Sequence, residues 1–232
     1  MQTVVIATLI ALMLEAVSAK GAALALVLAV DVSASVTADS YLLQHNGIAR
    51  AFASPRLADA ISATPGGIEV LVLEWSDPDK IAVTVDWTRV ADAASADGFA
   101  ASVRATRRSS AGITAIGPAL LAAEAAFDHL PEPAGRRVID VSGDGMANFG
   151  LPPAIARDRV VADGIAINGL AILTEEPWLA DYYRNNVIGG PSAFVVIART
   201  FEDFADALLS KLLQEVAGAS ATVAPLRSAQ MQ

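Results

Sequence analysis

Asp31, Ser33 and Ser35 stand at alternate positions in Val-Asp-Val-Ser-Ala-Ser-Val-Thr, residues 30–37. An apolar run leads straight into them, so one carboxylate and two hydroxyls gather on the loop that leaves a buried strand. Oxygen donors of this kind suit a hard divalent cation. Two later residues have matching chemistry. Thr114 lies in Gly-Ile-Thr-Ala-Ile-Gly (112–117), a loop just before a helix, and Asp144 lies in Ser-Gly-Asp-Gly (142–145), just after another apolar run. Together they make three hydroxyls and two carboxylates. Mg²⁺ takes six oxygens in near-octahedral order and keeps waters readily. A shell with few carboxylates leaves the ion partly un-neutralised, so an open position attracts a carboxylate from another molecule.

The elements that must carry these residues follow from periodicity. Ala22 to Val30 is continuously apolar, the pattern of a central strand covered on both faces. Thr37 caps a helix over about 38–53, with Tyr41, Leu42, His45, Ile48, Ala49 and Phe52 on one stripe. Ser54-Pro55 ends it, and 56–63 reads as a short helix. Residues 68–75 and 81–87 alternate around Ser-Asp-Pro-Asp, which predicts an antiparallel hairpin with the second strand at the sheet edge. In that strand Ile81, Val83, Val85 and Trp87 share a face. Helices are expected over 92–105, 114–127, 152–162, 177–183 and 201–216, and strands over 136–141, 165–173 and 193–198. Strands alternating with helices give an α/β, doubly wound, mostly parallel sheet with one antiparallel edge strand and helices on both faces. Such sheets bind ligands beyond the carboxyl ends of their strands, where the strand order reverses. Asp31, Ser33 and Ser35 sit at such an end.

The 232 residues suffice for one domain with a full core. Residues 1–19 read as a signal peptide: Val4 to Leu14 is apolar, Val17-Ser18-Ala19 resembles a processing site, and the run is shorter than the ~20 residues of a membrane span. The domain is then 20–217, and the Ala-, Ser- and Gln-rich stretch 218–232 reads as a disordered tail. Export, to periplasm or exterior, is the expected localisation, with no stable membrane span after cleavage. A net charge of −9 disfavours nucleic acid and anionic membranes as partners. The absence of cysteine excludes disulfides, thiolate metal sites and cysteine nucleophiles.

Asp31-x-Ser33-x-Ser35, then Thr114, then Asp144-Gly145 resembles the metal-ion-dependent adhesion site (MIDAS) of von Willebrand factor A (vWA) domains and integrin I domains. The order and spacing agree, and the alternating elements over 22–217 fit that fold. The resemblance implies that Ser33 and Ser35 ligate directly. It implies that Thr114 ligates directly or through water according to conformational state, and that Asp31 and Asp144 act directly or through water. It implies Mg²⁺ as the ion, with Mn²⁺ or Ca²⁺ as alternatives, and a protein partner that supplies a carboxylate to it. The family usually has Thr-Asp-Gly at the last position, where this chain has Gly143-Asp144-Gly145. The strings 136–145 and 187–195 resemble an exported bacterial branch of vWA-like proteins of unknown function.

Two other functions compete with a metal-dependent binding module. One is an exported structural domain stabilised by its metal. The other is a metal-assisted hydrolase or phosphotransferase, against which stand the lack of a phosphate-cradling Gly-x-x-x-x-Gly-Lys and of Asp-x-Asp, since Ser33 follows Asp31 two on. No catalytic constellation is expected. His45 and His129 read as packing or surface residues, Asp140 as a buried, paired structural carboxylate, and Trp75 and Trp87 as core or edge cover. Asn148 is either a rim residue or a turn cap. Arg107 and Arg108 either steer an acidic ligand toward the cation or form an exposed loop charge pair.

Overall fold

The computed structural model describes residues 21–223, with side chains described as far as Ala219. Strand β1 (Leu24–Asp31) is buried along its whole length. Its alternation is one of size rather than polarity. Leu24, Leu26, Leu28 and Val30 face one hydrophobic layer, while Ala25, Val27 and Ala29 face the other. Each fully buried Leu or Val in such a strand contributes about 1.5–3 kcal/mol of transfer free energy.

The first layer is filled by α1 (Ala38–Phe52), α2 (Pro55–Ser62), α3 (Ala93–Ala105) and α7 (Phe204–Val223), which supply Ile48, Phe52, Leu57, Phe99, Phe204 and Leu208. The second is filled by α4 (Ile116–Ala126), α5 (Pro153–Ala162) and the short α6 (Leu179–Tyr182) with the π-helical turn Tyr183–Val187 behind it. The remaining strands are β2 (Ile68–Trp75), β3 (Ile81–Val90), β4 (Arg136–Gly143), β5 (Ala166–Ile172) and β6 (Val195–Ala198), in the order β3-β2-β1-β4-β5-β6. All pairs are parallel except β2 with β3. The chain winds outward from β1 in one direction and from β4 in the other. Strand order therefore reverses between β1 and β4, and the loops leaving these two neighbours diverge over a shared crevice.

The fold is the one expected, with local differences. β3 does not keep one face: its register against β2 shifts twice, so Val85 joins the first layer while Ile81 and Trp87 pack on the second. Bulges of this kind reverse the side-chain alternation that periodicity assumes. β4 runs on to Gly143, because Ser142 and Gly143 still pair with Leu170 and Ala171. Helix α4 begins at Ile116 rather than at Thr114, with Pro118 in its first turn, where a missing N–H costs nothing. β6 begins at Val195. Helix α7 starts at Phe204 and continues to Val223, so 218–223 belong to the helix and not to a tail. The expected signal segment 1–19 and the end of the tail lie outside the described residues. No helix among the described residues is long and apolar enough to cross a membrane.

Candidate metal centre

Asp31 is the last residue of β1 and has no exposed surface. Its Oδ1 accepts a 2.7 Å hydrogen bond from the Ser33 N–H, which turns the chain back over the strand end. That turn brings the Ser33 and Ser35 hydroxyls to 3.2 Å from one another. Ser35 Oγ in turn donates to Asp144 Oδ1 at 2.7 Å, closing a bridge between the loops that leave β1 and β4. Asp144 directly follows β4 and is buried. Four of the five expected residues thus form one linked group over the crevice.

Thr114 reaches the same edge through its backbone. Its N–H donates to Asn148 Oδ1 at 2.9 Å, and its carbonyl accepts from the Asn148 N–H at 3.0 Å. The Ala34 N–H donates to the Gly112 carbonyl at 2.7 Å, which ties the Thr114 loop to the turn between Ser33 and Ser35. Asp77 Oδ1 accepts from the Ile113 N–H at 2.7 Å. Asn148 therefore clamps two loops, a larger role than a simple turn cap.

Gly143 is a strand residue. A Cβ there would lie 2.8 Å from both Asp31 Oδ2 and the Tyr183 hydroxyl. A side chain here would push on a carboxylate and a phenol that crowd the end of β4. Gly169 makes room for the same tyrosine, since a Cβ at 169 would lie 2.7 Å from its Cδ1.

The electrostatics are those of an under-compensated acidic site. Asp31 Oδ2 and the Tyr183 hydroxyl are buried without a hydrogen-bond partner. Burial pushes the Asp31 carboxyl up to about 7, against the weaker pull of its hydrogen bonds from Ser33; the neighbouring Asp144 adds to the rise. Asp144 is also raised, by burial first, while its bond from Ser35 opposes this. Burial and then the negative charges of Asp31 and Asp144 hold Tyr183 well above the ordinary phenol range. A divalent cation beside Asp31 Oδ2 would supply the compensation that buried carboxylates otherwise lack. Among the described residues no three His, Cys, Asp or Glu side chains gather to hold a metal, so a cation here would depend on hydroxyl donors. The neutral oxygens of Ser33, Ser35 and Thr114 with two carboxylates fit a hard ion that retains water.

Several supporting residues escaped sequence reasoning. Gln44 Nε2 donates to the Asp31 carbonyl at 3.1 Å from inside α1. Tyr183 had only its place on an expected helix to mark it. Arg108 turns inward: its Nη2 donates to the carbonyls of Val32 and Ser33, each at 2.8 Å. It therefore does not form an exposed pair with Arg107, which alone of the two is exposed. His45 is a buried residue whose Nε2 lies 2.9 Å from Glu74 Oε1. Asp140 is buried against Lys211, as expected of a structural carboxylate.

A family model described as a protein of unknown function, DUF1194, matches residues 21–220. The chain belongs to this family. No curated protein matches it. Among solved structures it is similar to proximal thread matrix protein 1 of the mussel byssus, with TM-score 0.59, 14% identity and coverage of 85% of this chain and 49% of that one. A second structure of the mussel protein, at TM-score 0.59 and 13% identity over 85% of this chain and 48% of that one, carries a zinc-occupied MIDAS motif. The von Willebrand factor type A protein of Catenulispora acidiphila matches at TM-score 0.59 and 17% identity, over 87% of this chain and 43% of that one. This DUF1194 member has the vWA-like fold, and it spans about half the length of the mussel structures it matches.

Proposed function

We propose that this chain is an exported, divalent-cation-dependent protein-binding module of the adhesion type. Asp31, Ser33, Ser35, Thr114 and Asp144 hold the ion, and the partner completes the shell with a carboxylate. Mg²⁺ is the proposed ion, with Mn²⁺ and Ca²⁺ as the alternatives to be tested. The carrying observation is the Ser35–Asp144 bond across the strand-order reversal, beside the unpartnered Asp31 Oδ2. The vWA-like fold and the zinc-occupied MIDAS of a structural neighbour support the reading. When bound, the cation supplies electrophilic attraction for an incoming carboxylate. The chain's own residues orient the hydroxyls, hold Asp144 near them and keep water from Asp31.

The surface around the site supports a protein partner. Ile113, Met146, Phe149 and Trp178 are exposed large apolar residues on the loops at this edge, Phe149 to 60%. Ile113 precedes Thr114, and Phe149 follows the Asn148 clamp. Tyr182, whose ring meets that of Trp178 edge-on, accepts at its hydroxyl from the Ala147 N–H at 3.2 Å. Apolar surface ringing a polar centre is the composition of a protein contact.

The test is capture of envelope proteins on the immobilised chain in Mg²⁺, in chelator, and with Ser35→Ala. The expected result is a partner retained only by wild type in Mg²⁺. Cation binding without chelator-sensitive capture would favour a merely stabilising metal instead.

A further inference from the structure

We propose that Arg108 is a positioning residue for the Asp31–Ser35 loop, holding it from beneath in the conformation that presents its hydroxyls to a cation. The inference rests on the cation site proposed above. It concerns residues outside the five donors.

The peptide planes of Val32 and Ser33 decide where the Ser33 side chain points. Both carbonyls accept from one guanidinium nitrogen, Arg108 Nη2, at 2.8 Å each. With their oxygens turned toward Arg108, these two planes cannot rotate independently.

Arg108 is itself held at three points. Its Nε donates to the Ser110 carbonyl at 2.8 Å. Its guanidinium carbon sits 6.0 Å from the centre of the Tyr41 ring. The N–H of the next residue, Ser109, donates to Glu74 Oε2 at 2.7 Å.

Glu74 ties this assembly to the core. Its side chain is fully buried, and its Oε1 accepts from the Tyr41 hydroxyl at 3.0 Å and lies 2.9 Å from His45 Nε2. The Tyr41 and His45 rings stack at 4.0 Å between centroids. The chain of contacts thus runs from β2 and α1, through residues 108 and 109, to the two carbonyls inside the metal loop. The loop's own turn also holds Ser33, whose carbonyl accepts from the Val36 N–H at 3.0 Å, and the Arg108 assembly adds a restraint anchored in the core. Lysine is a poor replacement for Arg108, since its shorter, flexible chain lacks the planar fork that joins the nitrogen serving the Val32 and Ser33 carbonyls to the one fixed on the Ser110 carbonyl.

The experiment is calorimetric titration of the full chain with Mn²⁺ and Mg²⁺ alone, on wild type, Arg108→Gln, Arg108→Lys and the exposed control Arg107→Gln. Thermal melts accompany it in chelator and in saturating metal. Residues that orient ligands without touching the metal typically govern about 10–100-fold in affinity, and a loss of about tenfold is expected in both Arg108 variants. Arg107→Gln is expected to match wild type. A positioning role also predicts that the metal-induced rise in melting temperature shrinks in Arg108→Gln. It predicts that Ser35→Ala costs less affinity in the Arg108→Gln background than in wild type, because the hydroxyl is no longer delivered.

A purely structural role would lower the melting temperature equally with and without metal and leave affinity unchanged. That result overturns the proposal while the cation site stands. A wild-type chain that binds neither ion overturns the cation reading, and this inference with it. If Arg108→Gln does not fold, Arg108→Lys carries the same affinity and coupling tests.

Discussion

Lys211→Met tests the buried ionic cluster that anchors α7 to the sheet. Lys211 is wholly buried, bonded to Asp140 and 3.6 Å from Glu215. Glu215 has other partners, since Arg136 lies 3.1 Å away and Asn168 donates to it. Asp140 depends on the lysine, and its second oxygen has no hydrogen-bond partner. Methionine fills nearly the lysine's volume, so the variant isolates the loss of charge. Breaking a buried pair from one side costs about 3–5 kcal/mol when the remaining charge cannot neutralise itself, which is the ceiling for this variant. Because the Asp140 carboxyl already sits at about 7 in wild type, it protonates rather than stay charged and unpaired, so the charge part of the loss at pH 8 is held to about 1.4 kcal/mol, a fall in melting temperature of roughly 3–6 °C. The sign of the pH dependence follows from Asp140. Burial pushes its carboxyl up to about 7 even with Lys211 attached. The folded state therefore holds this proton more tightly than the unfolded chain, and its contribution to stability falls as pH rises from the ordinary carboxylate range through 7. Without Lys211 the carboxyl rises further, and the fall continues above 7. The deficit of the variant must then be smaller at pH 6, where Asp140 is readily protonated, than at pH 8. Urea unfolding followed by circular dichroism at both pH values measures it. A deficit that is equal at the two pH values would refute the assignment of Lys211 as the counter-charge, since only the ionised Asp140 misses it.

Other outcomes follow from single sites. Gly143→Ala places a Cβ 2.8 Å from Asp31 Oδ2 and the Tyr183 hydroxyl, so Mn²⁺ affinity falls while the melting temperature in chelator changes less; titration and melts check the two separately. Asp92→Ala removes a reciprocal cap with Ser95 at the start of α3 and costs about 1 kcal/mol in urea unfolding, with Mn²⁺ affinity unchanged. Phe149→Ser leaves calorimetric cation affinity intact and weakens chelator-sensitive partner capture, because the residue is exposed on the rim rather than among the donors.

Much of this was legible in the sequence, and the reasons are physical. A run such as Ala22–Val30 has one stable use, a strand covered on both faces, and α/β alternation then limits the topology. The five oxygen-bearing residues stand out because each falls at the end of an element or in the loop beside it, where a polar side chain is not needed for packing. β3 was misread because a bulge leaves no mark on composition, so Trp87 took the opposite face from Val85. Arg108 and Glu74 were not legible, because their roles are contacts with backbone carbonyls and with residues far along the chain. Gly143 looked like a departure from the family's pattern and is explained only once Tyr183, on a different element, is seen beside it.

The most direct test of the central claim is calorimetric titration of the full chain with Mg²⁺ and Mn²⁺, beside Ser35→Ala. Ser35 is exposed, so its replacement leaves the core intact, yet its hydroxyl joins the β1 and β4 loops at 2.7 Å. One bound ion per chain is predicted for wild type, with clearly weaker binding once the Ser35 hydroxyl is gone. No binding to wild type, or equal binding to both, would contradict the claim that these residues form a divalent-cation site.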